Sequence, residues 1–237
     1  MKIKYCLLIL FIFTARFYSQ GRTYIYDSFT AKIEDASLHV YDKDKRLVVD
    51  KKFNDPYDLS VDLDGDGVDE YLVVDDIKKD EKDFYIIYIF NTGDSFYLAD
   101  SIRSGYLEPY QTNSEEAGGT IIVTGNPKFD SLNSSSNNEA YTPVNCWQYK
   151  SGDIFLANNK IYKLFVAEND TMLDVIDSYY DSNGADCKST GMLKGIIASV
   201  YANFMHSGDR LLATQFLRRY YHCDDLEDFR KKINSLL

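Results

Sequence analysis

Between Val61 and Tyr71 the chain reads Val61-Asp62-Leu63-Asp64-Gly65-Asp66-Gly67-Val68-Asp69-Glu70-Tyr71, with three aspartates on alternate positions and a glutamate closing the run. Carboxylates spaced in this way on a tight loop can converge on one point. A hard cation such as calcium, which takes six to eight oxygens at roughly 2.3 to 2.6 Å, is the natural occupant of that point. Asp62, Asp64 and Asp66 supply side-chain ligands, the carbonyl of Val68 a backbone ligand, and Glu70 the last carboxylate. Gly65 and Gly67 permit the left-handed backbone that turns the oxygens inward. The alternative is a solvated acidic turn without metal. Its cost is repulsion among crowded charges, which without a cation leaves the loop disordered or partly protonated.

A helix-loop-helix calcium site would need a further acid at the twelfth loop position, where this chain has Val73, and a helix on each side. The flanks here are rich in Val, Leu and Tyr and are strand-like. Residues 62 to 70 instead resemble the acidic loop of the integrin-type FG-GAP or VCBS repeat, which lies between two strands; Glu70 stands where that family more often has Asp. The resemblance covers about residues 36–90. It implies calcium binding in an extracellular or periplasmic β-module used for adhesion or ligand binding. Propellers of this family repeat the loop from blade to blade, whereas this chain has one good copy, which excludes a full propeller. Asp181-Ser182-Asn183-Gly184-Ala185-Asp186 lacks the third carboxylate at the right spacing and is read as a plain turn.

Other constellations are weaker. Cys187, His206, His222 and Cys223 have the ligand types of zinc but no finger spacing. Cys146 with His39 has only residue type in favour of a nucleophile and base. Gly184 to Ser189 ends like a phosphate-binding loop but places Cys187 where glycine must precede the lysine. The acid pairs Asp75/Asp76 and Glu115/Glu116 could serve glycoside hydrolysis, yet strand neighbours point to opposite faces, so a solvated edge is the better account. The 20 tyrosines, many beside Asp or Asn, form either a binding face for carbohydrate or protein or ordinary strand surface.

The elements that must hold the loop follow from periodicity. From residue 31 to about 165 the pattern is strand, turn, strand, with candidates at Ser37–Tyr41, Arg46–Val49, Tyr71–Val74, Phe84–Phe90, Phe96–Ile102, Thr120–Thr124, Trp147–Tyr149, Ile154–Ala157 and Ile161–Phe165. Gly125 to Val144, with the polar core Ser131 to Asn138, is predicted to be a mobile loop. After Glu168 the period lengthens to that of helices. Asp170, Ser189 or Thr190, Asp209, and an Asp224/Glu227 capping box would start them. Leu212, Phe216 and Tyr220 are predicted to face inward. The fold class is therefore α+β: an antiparallel sheet, blade-like or an incomplete barrel, followed by a C-terminal helical cluster. The chain divides into a signal segment 1–19, a β-rich calcium-loop region 20–168, and a helical region 169–237 packed on the same domain.

Export is suggested by Lys2 and Lys4 ahead of the apolar run Tyr5 to Thr14, too short to span a bilayer comfortably. Phe17 sits where a small side chain is wanted, so an uncleaved anchor is the alternative to cleavage. Removal of residues 1–19 takes three cations and no acid, and moves the formal charge from -11 to -14. Such acidity repels nucleic acid and anionic lipid. Of the cysteines left after cleavage, Cys187 and Cys223 flank predicted helices, and their pairing would staple a helical hairpin; Cys146 is expected to be a buried thiol. The sum is an exported, periplasmic or extracellular, non-catalytic calcium-binding module with no membrane span in the mature chain, whose partner is an extracytoplasmic protein or glycan. The alternatives are a secreted hydrolase using carboxylates and an inhibitor of a cationic enzyme such as a lysozyme.

Overall fold

A computed structural model describes residues 22–79, 82–132, 141–183, 187 and 191–237. The predicted signal segment, most of the Ser131 to Asn138 loop core and the Ser189/Thr190 cap lie outside the described residues.

Three antiparallel meanders follow one another in the chain. The first contains β1 (Thr23–Ile25), β2 (Phe29–Glu34), β3 (Ser37–Asp42) and β4 (Leu47–Lys52). The second contains β5 (Asp55–Val61), β6 (Glu70–Lys79), β7 (Lys82–Asn91) and β8 (Tyr97–Gly105). The third contains β9 (Tyr110–Ser114), β10 (Gly119–Gly125), β11 (Val144–Lys150) and β12 (Asp153–Leu156). The α-helices among the described residues are α1 (Tyr162–Asn183), α2 (Gly191–His206), α3 (Arg210–Tyr220) and α4 (Leu226–Leu236). The class is α+β, and the sheets are open and blade-like, none closing into a barrel.

The sheets stack as layers, and β6 shows why. Side chains alternate across a strand, and Tyr71, Leu72, Val73 and Val74 are all buried. Tyr71 and Val73 join Ala31, Leu38, Val40 and Phe53 of the first sheet and its exit. Leu72 and Val74 join Ile122 and Tyr149 of the third. An unbroken apolar run is what a strand between two layers needs. In β10 the next pair divides the same way: Ile122 faces the middle sheet, while Ile121 and Val123 pack with Ile161 and Phe165 at the start of the helices. The first sheet ends the stack because its outer face is polar. Lys32, His39 and Asp50 stand in register there, with His39 Nδ1 3.4 Å from Asp50 Oδ1.

Where β8 crosses β10 the layers nearly touch. A Cβ on Gly125 would lie 2.5 Å from the Ser104 carbonyl oxygen, and the Gly125 N–H donates to Ser104 Oγ at 3.0 Å. Only glycine allows that approach.

Several expectations need correction. Ile161–Phe165 is not a strand: α1 begins at Tyr162, so residues 162–168 belong to the helical part. Ile161 and Phe165 are both buried and four apart, with exposed Tyr162 and Lys163 between them, which is a helical period. The first-turn N–H of Lys163 is met by Glu116 Oε2 at 2.9 Å, a cap supplied from another element. Asp170 lies within this continuous helix and starts nothing. At α3, Asp209 does cap, accepting from Leu212 N–H, but Ala213, Phe216 and Leu217 are the buried residues and Leu212 is exposed. At α4 the cap position belongs to Asp225, not Asp224, and its carboxylate is taken by Lys194 and the Tyr221 hydroxyl. The segment after Gly125 is a 3-10 turn, Pro127–Leu132, whose Phe129 is buried among the helices rather than mobile. β1, β2, β5 and β9 lie outside the strand candidates; β5 and β9 are polar edge strands, Asp55-Pro56-Tyr57-Asp58 and Tyr110-Gln111-Thr112-Asn113-Ser114, and Pro is admissible at an edge.

Cys187 and Cys223 form a disulfide with Cα atoms 5.6 Å apart. Cys146 is a buried free thiol whose pKa is pushed up to about 12 by burial. Among the described residues no helix is long and apolar enough to cross a membrane.

Candidate metal centre

The acidic loop joins β5 to β6, which pair in register up to Val61 opposite Glu70. It is built from the inside outwards. Leu63 is 2 % exposed and packs between the middle and third sheets beside Leu72, Ile122 and Tyr149. That anchor fixes its backbone N–H, which donates to Glu70 Oε2 at 2.9 Å. Asp62 organises the turn: Oδ1 accepts from Gly65 N–H at 2.7 Å and Oδ2 from Gly67 N–H at 3.0 Å. Both glycines have positive φ, +78° and +87°, as the sequence suggested, a conformation a side chain rarely adopts.

Asp64 ties the loop to the third sheet. Its Oδ2 accepts from the Ser151 N–H at 2.8 Å, at the two-residue turn between β11 and β12. Ser151 and Gly152 both have positive φ there, as such a hairpin requires. A longer contact from Thr120 Oγ1 to the Asp62 carbonyl, 3.5 Å, joins the same two layers. Asp64 Oδ1 is enclosed and has no hydrogen-bond partner.

One ligand oxygen from each of Asp62, Asp64 and Glu70 can be chosen so that all lie within 4.8 Å of one another. Glu70 is 3 % exposed, and burial, with the charges of Asp64 and Asp66, raises its pKa to about 7 despite the Leu63 N–H. Asp66 is not one of the converging three: it is exposed, and its Oδ1 accepts from Val68 N–H at 2.7 Å. Asp69 turns to the other side of the loop, where its Oδ2 accepts from Ser60 Oγ at 2.9 Å and its carbonyl accepts from Thr92 Oγ1.

This donor set fits a hard cation. It is all oxygen, it carries three carboxylates on one point, one oxygen is enclosed without a donor, and the backbone around it is tied on both sides. The partners from the third sheet, Ser151 and Thr120, had no sequence signal, because 87 and 58 residues separate them from the acids they meet.

The rejected constellations stay apart. His39 lies on the outer face of the first sheet, and Cys146 lies in the cluster between the third sheet and the helices. His206 is half-buried against Phe165 with its Nδ1 on the Val144 carbonyl oxygen, and desolvation lowers its pKa. Asp75 is no solvated edge residue: it is 2 % exposed and accepts from Asn54 N–H, Asn54 Nδ2 and Asp55 N–H. Asp76 points to the opposite face, so the two cannot flank one bond.

No family model matches the chain, and no match was found among curated proteins or solved structures.

Proposed function

We propose that the protein is an exported, non-catalytic binding module in which calcium locks the β5–β6 loop against the third sheet. Asp62, Asp64 and Glu70 hold the ion, with the Val68 carbonyl as a further ligand. On this reading the loop is of the FG-GAP or VCBS kind, present once in a stack of three open sheets. The observation that supports it most is Asp64 Oδ1, enclosed without a hydrogen-bond donor beside two further carboxylates. Leaving such an oxygen unmet costs about 1 to 3 kcal/mol, and more when charged. A divalent ion removes that cost and the mutual repulsion together. The same ion bridges Asp62 and Asp64, which touch the third sheet, to Glu70 of the middle sheet, so its role is to fix one layer on another. The partner is an extracytoplasmic protein or glycan.

Isothermal calorimetry with calcium tests this directly. One ion per chain with a rise in melting temperature supports the reading; no heat of binding and no shift between calcium and chelator would end it.

A further inference from the structure

The acidic loop has a second face. On the side away from Leu63 and Ser151, residues Gly67, Val68 and Asp69 form one wall of an open cleft of about 850 Å3 between the first and middle sheets. Tyr24, Tyr26, Asp27, Asp94 and Lys43 also line it. We infer that this cleft binds an arginine- or lysine-bearing segment of a partner protein, and that the cation on the other face of the loop controls it.

Charge argues for a cationic occupant. Three carboxylates, Asp27, Asp69 and Asp94, face one ammonium, Lys43. Asp27 and Asp94 are exposed and make no hydrogen bond or ion pair with the described residues. A guanidinium presents a planar fork of donors that matches a carboxylate, and it stacks on aromatic rings. The tyrosines separate this occupant from a sugar. Both hydroxyl protons are already committed, Tyr24 OH donating to the Asp58 carbonyl at 3.4 Å and Tyr26 OH to Ser60 Oγ at 3.1 Å. With those protons donated elsewhere, the tyrosines have ring surface and acceptor oxygens left to offer, which suits a cation and its aliphatic stem. Ile25, 81 % exposed, and Val68, 40 % exposed, add apolar contact for flanking residues of a chain.

The coupling is structural. Asp69 is held by Ser60 and Thr92 only if the loop keeps its course, and that course is set one residue further on by Glu70 and across the loop by Asp62 and Asp64. This part of the inference rests on the calcium reading. An ion that rigidifies the loop removes the ordering cost from the second ligand and raises its affinity.

The test is fluorescence anisotropy with labelled hexa-arginine on the full chain at about 0.15 M salt, where exposed charges beyond a Debye length are screened. In calcium the peptide binds, and Asp27→Asn with Asp94→Asn weakens it about tenfold, as the loss of two charge contacts implies. Asp170→Asn with Asp174→Asn removes the same charge from the exposed side of α1 and leaves the affinity within about twofold. Lys43→Glu tightens binding about threefold, a gain that misfolding cannot mimic. Equal weakening by the two double variants reduces the effect to general acidity and overturns the cleft. Binding of neutral chitotetraose that responds to Asp27→Asn with Asp94→Asn, without binding of hexa-arginine, also overturns it. Chelation is expected to weaken the peptide several-fold. If the cleft variants act but chelation changes nothing, the coupling fails while the cleft stands, and calorimetry with calcium alone decides the calcium reading.

Discussion

Replacing Glu70 by glutamine moves stability in opposite directions with and without calcium, and this is the sharpest consequence of the site. Without a cation at pH 8, Glu70 is ionised in both folded and unfolded chains, but in the folded chain it is buried beside Asp64 and Asp66. Its pKa of about 7 against an ordinary 4.5 corresponds to roughly 3 kcal/mol of destabilisation above pH 7. Glutamine keeps an oxygen for the Leu63 N–H and loses the charge, so it relieves most of this. About 1 kcal/mol is returned because the hydrogen bond is no longer charge-assisted. The net gain of about 2 kcal/mol is worth roughly 4 to 8 °C for a domain of this size. Calcium at a hundredfold excess over its Kd stabilises the wild type by about 2.7 kcal/mol. The variant, with a ligand lost, shows less than a third of that increment. Differential scanning calorimetry of both proteins in chelator and in calcium reads all four values. A Glu70→Gln protein that melts lower than wild type in chelator, or that keeps the full calcium increment, refutes the reasoning.

The pH dependence follows from the same group. A raised carboxylate keeps its proton in the folded state when the unfolded state has lost it, so in chelator Glu70 favours folding below about pH 4.5 and that contribution is lost as pH rises to about 7. Asp58 and Asp76, also raised by burial, act with the same sign, whereas His206, lowered by burial, acts against it below about pH 6.5. Urea titrations of wild type minus Glu70→Gln across pH 4 to 8 isolate the term, and a flat difference contradicts it. Leu63→Ala removes the plug between two sheets and costs about 2 to 5 kcal/mol. It also weakens calcium, because the loop loses its anchor; urea unfolding and calorimetry separate the two effects. Breaking the Cys187–Cys223 bond, which spans 36 residues, by Cys187→Ser with Cys223→Ser costs about 3 to 4 kcal/mol in the chain-entropy account. Calcium binding stays unchanged because, among the described residues, no helix residue joins the cluster that holds Leu63 or the converging carboxylates, and a coupled loss of calcium would contradict the layered arrangement.

What the residues alone determined is local. Aspartates on alternate positions, glycines where φ must be positive and strand formers on both sides define the loop wherever it is placed, because these are short-range requirements of backbone and charge. The same holds for the Asp209 cap and the change from strand to helix, misplaced by a few residues because Ile161 to Phe165 is apolar at both ends and suits either period. Tertiary structure decided which carboxylates converge. Asp66 matches the motif as well as Asp64 does, yet only Asp64 meets the Ser151 N–H of another sheet, and Glu70 has a raised pKa because Leu63 and its neighbours bury it. It also decided that Asp75 clamps Asn54, that Glu116 caps a helix 47 residues away, and that the back of the loop faces Tyr24 and Tyr26. Each of these depends on layers stacking face to face, and contacts between layers join residues too far apart in the chain for any periodicity to record.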